Sequence, residues 1–178
     1  MHIKNSSRLS YQLMDKNDAH LLFELDQDPN VMHYINGGKP TTQKEIEEIY
    51  IPRMLSYTNS KKGWGIWKAN LKENDEFIGW ILVRPMEFFS DKPQLENLEL
   101  GWRFMQKSWG KGYATEAALA IMNALISNKC ATELSAIAVS ENLASIAIMK
   151  KLGMEFIKKD MHKDPLGDML VEYYSLTI

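Results

Sequence analysis

The chain reads as an α/β domain built on a mixed, mostly antiparallel sheet with helices on both faces. Three observations predict this. Segments with a two-residue apolar period recur from one end to the other, amphipathic helices lie between them, and one strand–glycine turn–helix–strand unit supplies a parallel pair. A strand, helix and parallel strand in succession call for a right-handed crossover. No repeat, low-complexity tract or Ser/Pro/Gly linker divides the sequence, so one domain over residues 1–178 is expected.

Taken in order, Leu9, Tyr11 and Leu13 alternate with polar neighbours and predict the first strand. Asp15 to Asp18 offer N-caps to a short helix carrying Ala19, Leu21, Leu22 and Leu25, which stops near Asp28-Pro29. Thr42-Gln43-Lys44-Glu45 fits a capping box. The helix it opens places Ile46, Ile49 and Tyr50 on one face and should kink or end at Pro52. Trp64 to Ala69 and Phe77 to Arg84 are aromatic and branched, joined by the polar turn 72–76 as a hairpin. Beyond a polar loop with Pro93, the segment Leu98 to Phe104 sets Leu98, Leu100, Trp102 and Phe104 on one face. Ala114, Ala117, Ala118, Ile121, Met122 and Leu125 follow with the spacing of a strong helix. A strand from Leu134 to Val139 precedes a helix from Asn142 to Leu152, with Asn142 as N-cap, Lys150 and Lys151 in the last turn and Gly153 beyond. Strands Met154 to Lys159 and Met169 to Thr177 complete the pattern.

Composition excludes several classes of function. Lys and Arg number 21 against 23 Asp and Glu, a net charge of -2, without the basic excess that displaces counterions from nucleic acid. A single cysteine, Cys130, can form neither an internal disulfide nor a cysteine-rich zinc site, which fits a reducing cytoplasm. No apolar run approaches the ~18 residues of a membrane span, and the first seven residues lack the apolar stretch of a signal peptide. A soluble cytoplasmic protein, with neither nucleic acid nor membrane as partner, is expected.

The chemistry should gather at Trp109-Gly110-Lys111-Gly112. Two glycines just before a strong helix allow a tight turn and leave the first helical amides unobstructed. Those amides have no partner inside the helix and sit at its positive end, which suits a diphosphate, with Lys107 and Lys111 as added cations. A bare glycine turn is the alternative, since Gly-x-Gly alone has little specificity. Two other phosphate motifs fit poorly. A Walker loop needs four residues between its glycines, and a dinucleotide fingerprint wants Gly or Ala where Thr115 stands. Glu133 lies near the distance of a ribose acid, but one clear crossover is too few for two mononucleotide halves.

The run Gln106-Lys107-Ser108-Trp109-Gly110-Lys111-Gly112-Tyr113-Ala114-Thr115-Glu116-Ala117 resembles the acetyl-CoA pyrophosphate loop of the GNAT N-acetyltransferases, in its RimJ/RimL-like version. Asn142-Leu143-Ala144-Ser145-Ile146 with Lys151-Leu152-Gly153-Met154 resembles the second motif of that branch. Arg8-Leu9, Asp28 to Val31 and Tyr173 to Leu176 agree as well, so the resemblance covers nearly the whole chain. It implies a GNAT-type sheet with its parallel pair at the acetyl-CoA site. It further implies transfer of the acetyl group from acetyl-CoA to a primary amine, a protein N-terminus or a small molecule, by direct attack in a ternary complex. Backbone groups of Trp102, Arg103 and Phe104 would pair with the pantetheine arm, and amides from Trp109 through Gly110, Lys111, Gly112, Tyr113, Ala114 and Thr115 would hold the pyrophosphate. Asn142 would bond the pantetheine or the region near the thioester, alongside its role as N-cap. A homodimer is compatible with this branch.

Two positions depart from the wider superfamily. Lys107 stands where a Gln or Arg is usual, keeping the charge and losing the fork. Met149 stands where many members carry the Tyr that protonates the leaving thiolate, and a thioether donates no proton. Ser145, one turn earlier, resembles the serine of this branch and is the candidate acid, with an ordinary N3 residue as its alternative. Glu99, on an otherwise apolar strand before the loop, is the candidate base, unless it faces solvent or pairs with a cation such as Arg103. His33 is the second candidate base, and Cys130 lacks the nearby His that a nucleophile needs. Tyr34, Tyr50, Trp80, Trp102 and Trp109 are candidate pocket aromatics, and Glu24, Asp26 and Glu99 are acids suited to a cationic amine. A CoA-binding sensor without catalysis, and an enzyme binding ATP or NAD, are the competing classes.

Overall fold

The computed structural model describes residues 1–178. One seven-stranded sheet, ordered β1-β2-β3-β4-β5-β7-β6, organises the chain. Its strands are β1 (Leu9–Leu13), β2 (Gly65–Leu71), β3 (Phe77–Met86), β4 (Gln94–Phe104), β5 (Glu133–Ala138), β6 (Glu155–His162) and β7 (Met169–Thr177). Every neighbouring pair is antiparallel except β4 and β5, which run parallel and are joined across α5 (Tyr113–Ser127). No helix is long and apolar enough to cross a membrane.

Alternation along β2 and β3 divides the interior into two cores. Leu98, Leu100 and Phe104 pack with Ile81 and Val83 against α5, whose Ala117, Ala118, Ile121 and Leu125 are fully buried. Small side chains at Ala117 and Ala118 let this helix lie close to the sheet. Helix α6 (Leu143–Lys151) covers the same face and buries Ile146 and Met149 in that core. The opposite face meets α1 (Ala19–Leu25), α2 (Pro29–Asn36) and α4 (Ile51–Tyr57), with Ile66, Phe77 and Trp80 beneath, while the one-turn α3 (Gln43–Glu45) stays exposed.

The first helix stops just before Asp28-Pro29 as expected, and a second opens there: Asp28 caps α2 through its side chain, and Pro29, which has no N–H to lose, takes the first turn. Pro52 does not end the helix opened by the Thr42 capping box, both of whose bonds form. A π-helical turn over Ile46–Tyr50 comes between α3 and α4, and Pro52 sits at the start of α4. Widening the ladder to i→i+5 accommodates a residue that lacks its donor. The same turn rotates Ile49 outward, where it is 41% exposed, while Ile46 is fully buried.

The sheet opens between its parallel strands. Pairing of β4 with β5 covers only Asn97↔Glu133, Leu98↔Leu134 and Glu99↔Ser135, although β4 stays paired with β3 up to Phe104. Gly79 keeps β3 and β4 together where β5 departs. A Cβ there would lie 2.5 Å from the Arg103 carbonyl oxygen and 2.6 Å from the Phe104 ring.

Candidate active site

The gap between β4 and β5 exposes a row of backbone groups. Met105 N–H donates to the Ile78 carbonyl, and hydrogen-bonded and non-bonded pairs alternate along antiparallel strands. The alternation ties Arg103 to Trp80 and turns the Trp102 and Phe104 backbone toward the gap. Of the three residues expected to offer backbone there, Arg103 is therefore spent on β3. The Phe104 carbonyl accepts from the Trp109 indole at 2.8 Å, which leaves the Phe104 N–H and both Trp102 groups.

At the end of β4 a 3-10 turn, Gln106–Ser108, leads to the two glycines, Gly110 with φ 73° and Gly112 with φ 79°. Both values are left-handed, which glycine adopts without a Cβ penalty. Gly112 is the N-cap of α5 and has no side chain to occupy the first amides. The first bond of the helix runs from Glu116 N–H to the Gly112 carbonyl, and each backbone N–H from Gly110 to Thr115 is left without an acceptor in the chain. These donors converge on the positive end of a 15-residue helix, the setting that binds diphosphate oxygens. Lys111 is exposed beside them, whereas Lys107 pairs with Glu76 on the β2–β3 turn.

Arg8, on the approach to β1, reaches this loop from outside. Its Nη1 donates to the Lys111 carbonyl at 2.9 Å, its Nε to Glu116 Oε2 at 2.7 Å, and its backbone N–H to Glu116 Oε1 at 2.8 Å. Its guanidinium lies 4.4 Å from the Tyr113 ring centroid. Burial raises the Glu116 pKa, but the bonds from the Arg8 backbone, the Ser6 hydroxyl and the Arg8 side chain outweigh it and hold the carboxyl below its ordinary range.

Across the gap, α6 presents Asn142 and Ser145. Asn142 Oδ1 accepts from the Ser145 N–H at 3.1 Å, the N-cap bond. Ser145 Oγ accepts from the Trp102 indole at 3.2 Å, so the two strands' sides are bridged through a side chain. The Ser145 hydroxyl proton has no acceptor in the chain and is free to be donated. Met149 is 1% exposed, a core residue with no access to the gap.

Glu99 lies on the opposite face of β4, 5% exposed, with Oε2 accepting from Arg84 Nε at 2.7 Å. The cation beside it is thus Arg84, directly across the β3–β4 pair, and not Arg103, whose Nη1 bonds Asp26 Oδ1 at 2.5 Å. Arg84 also lies 4.0 Å from Asp164, itself paired with Arg53. Burial disfavours the Arg84 charge, but Glu99, Tyr57 and Asp164 outweigh it and raise its pKa. Glu99, Ser135 and Ser175 form one row across three strands, and Tyr173 occupies the next. Desolvation first, then the charges of Glu87, Asp160 and Glu99, push the Tyr173 hydroxyl up to about 12, so it remains a proton donor; His162 Nδ1 sits 3.1 Å away.

A cavity of about 340 Å³ opens where α2 faces the end of β5, lined by His33, Tyr34, Ile35, Gly37, Val139, Glu141 and Met169. Between Val139 and Glu141, Ser140 Oγ is buried without a partner. Of the candidate aromatics only Tyr34 lines this space. Trp80 is buried beside Arg103, and Trp109 is held by Phe104. Asp26 is spent on Arg103 and Thr41, and Glu24 is exposed on α1. Cys130 packs beside Met1 at the far end of α5, about 22 Å of helix from the glycines. Arg8 and Tyr173 entered the sequence reading only as parts of the family resemblance, without a role, and Arg84 and His162 carried no site assignment. Arg84 carried a signal, a charge inside an apolar strand like Glu99, but the register that joins them did not.

Known proteins share this architecture. Residues 8–155 match the family model described as the acetyltransferase (GNAT) domain. An uncharacterized N-acetyltransferase of Bacillus subtilis, YnaD, is 30% identical over 98% of this chain and 95% of its own. Among solved structures, a ribosomal-protein alpha-N-acetyltransferase, RimL, in complex with coenzyme A superposes with a TM-score of 0.76 at 14% identity, covering 100% of this chain and 98% of that one. The aminoglycoside acetyltransferase AAC(6')-Ib with coenzyme A and kanamycin gives 0.73 at 19% identity, covering 95% and 94%. With the open β4–β5 edge and the glycine loop in place, the chain belongs to the GNAT acetyltransferase family.

Proposed function

We propose that the protein transfers the acetyl group of acetyl-CoA to a primary amine by direct attack within a ternary complex. The observation that carries this reading is the continuity of unspent backbone donors, from Trp102 and Phe104 along the gap to Gly110–Thr115 at the α5 N-terminus. Strand groups suit the amides of a pantetheine arm, and the glycine loop suits a diphosphate. Asn142 and Ser145 then border the thioester. The amine nitrogen bonds to the acetyl carbon, the carbon–sulfur bond breaks, and the amine proton leaves for a base. Ser145, with a lone pair already engaged by Trp102, donates its hydroxyl proton to the departing thiolate sulfur and recovers one from solvent.

Glu99 is the proposed base, acting through Oε1, since Arg84 occupies Oε2 and fixes the carboxylate. The cavity beside α2 is the proposed acceptor pocket, and Glu141 in its wall suits a cationic amine. Relatives whose names specify an aminoglycoside or a ribosomal protein support an amine acceptor of either size. Calorimetric titration with acetyl-CoA, with ATP and NAD as controls, followed by an amine-panel acetylation assay, tests the reading. Micromolar acetyl-CoA binding and acetylation of at least one amine are expected; absence of acetyl-CoA binding overturns it. Unchanged turnover of Glu99→Gln from pH 6 to 9 removes Glu99 from the mechanism.

A further inference from the structure

We propose that Arg8 is a positioning residue of the diphosphate loop, holding the Lys111–Gly112 peptide so that the Gly112 N–H faces the cofactor. This rests on the acetyl-CoA reading of the loop. A trans peptide is planar, with its C=O and N–H pointing in opposite directions. Arg8 Nη1 fixes the Lys111 carbonyl at 2.9 Å, so the Gly112 N–H points away from the guanidinium. Gly112, on one side of this peptide, has a left-handed φ and no Cβ, Gly110 lies one residue before it, and no other side chain bonds to the peptide. Without Arg8 the peptide is free to rotate.

Charge supplies a second reason. Glu116 places a carboxylate in the first turn of α5, the turn that must receive an anionic diphosphate. Arg8 neutralises it with a side-chain bond at 2.7 Å and a backbone bond at 2.8 Å. Ser6 Oγ donates to Glu116 Oε1 at 2.7 Å, and the Tyr11 hydroxyl donates to Ser6. The carboxylate is therefore an anchor for Arg8, and the guanidinium spans anchor and loop with the fork that a lysine lacks.

The test compares acetyl-CoA with S-acetylpantetheine, which carries the same thioester arm and no diphosphate. Dissociation constants are read by calorimetry for the first and ligand-observed NMR for the second. For Arg8→Gln, acetyl-CoA binding should weaken about tenfold, with S-acetylpantetheine unchanged. Arg8→Lys, which keeps the charge, should fall between Arg8→Gln and wild type. Equal loss for both thioesters would show a general structural role and overturn the proposal, as would wild-type acetyl-CoA affinity in Arg8→Gln. Wild-type affinity in Arg8→Lys would overturn the peptide-orienting role. If the wild-type protein itself fails to bind acetyl-CoA, the reading of the loop falls and this inference falls with it.

Discussion

The pair Arg84–Glu99 should respond unequally to loss of its two members. Their side chains are 10% and 6% exposed, and breaking a buried pair leaves an uncompensated charge worth about 3–5 kcal/mol. Removing Glu99 does not strand Arg84. Asp164 stays 4.0 Å from its Nη2, and the Phe89 and Tyr57 ring centroids stay 5.4 and 5.9 Å from its guanidinium carbon. In Glu99→Gln the amide oxygen can also still accept from Nε, so the cost should sit at or below about 3 kcal/mol. Removing Arg84 leaves Glu99 with no cation, because Asp164 retains Arg53, and Arg84→Met should approach about 5 kcal/mol. The double variant Arg84→Met/Glu99→Leu, with no buried charge left from the pair, should recover most of this loss. Urea unfolding at pH 7 measures all three. A Glu99→Gln loss equal to or larger than that of Arg84→Met would refute the compensation by Asp164 and the rings.

Ser145→Ala should lower kcat by about a hundredfold while acetyl-CoA affinity stays within about twofold, and Trp102→Phe should move kcat the same way by less. Unimpaired turnover of Ser145→Ala with a good acceptor would remove the serine from thiolate stabilisation. Burial raises the Tyr57 hydroxyl to about 12, above the value of about 10 for an unfolded chain. Between those values the unfolded chain releases its proton first, so stability is full below about pH 10 and falls by about 2–3 kcal/mol as pH rises to 12. Urea unfolding across pH 9–12 should show a shallower fall for Tyr57→Phe, and parallel curves would contradict the burial effect. Gly79→Ala should cost about 3 kcal/mol, since its Cβ meets the Arg103 carbonyl; a loss under about 1 kcal/mol would show that β4 yields.

Much of this was legible because the signals were local. The Thr42 capping box, the Asn142 cap and the α5 periodicity act within a few residues, and all three form as read. Pro29 marked a true helix boundary, whereas Pro52 left kink and end both open, because a proline says where a bond is lost and not whether the next helical turn absorbs it. The glycine loop stood out because its donors are consecutive. Arg8 and Glu116, 108 positions apart, carry no mutual signal, and neither do Arg84 and Glu99, which only strand register brings together. Tyr173 and His162 meet across a hairpin whose register includes a shift between Phe156 and Lys158, which alternation alone does not place.

The short pairing of β4 with β5 makes the sheet two ribbons, β1–β4 and β5–β7–β6, laced together by three residue pairs. A ligand lying along their open edge, as proposed for the pantetheine arm, would add rungs between them, as an extra strand would. Binding then also closes a seam, and ligand at a hundredfold above its dissociation constant adds about 2.7 kcal/mol to the folded state. On the proposed reading, resistance to proteases and heat is therefore expected to rise with acetyl-CoA concentration as well as with the strength of either ribbon.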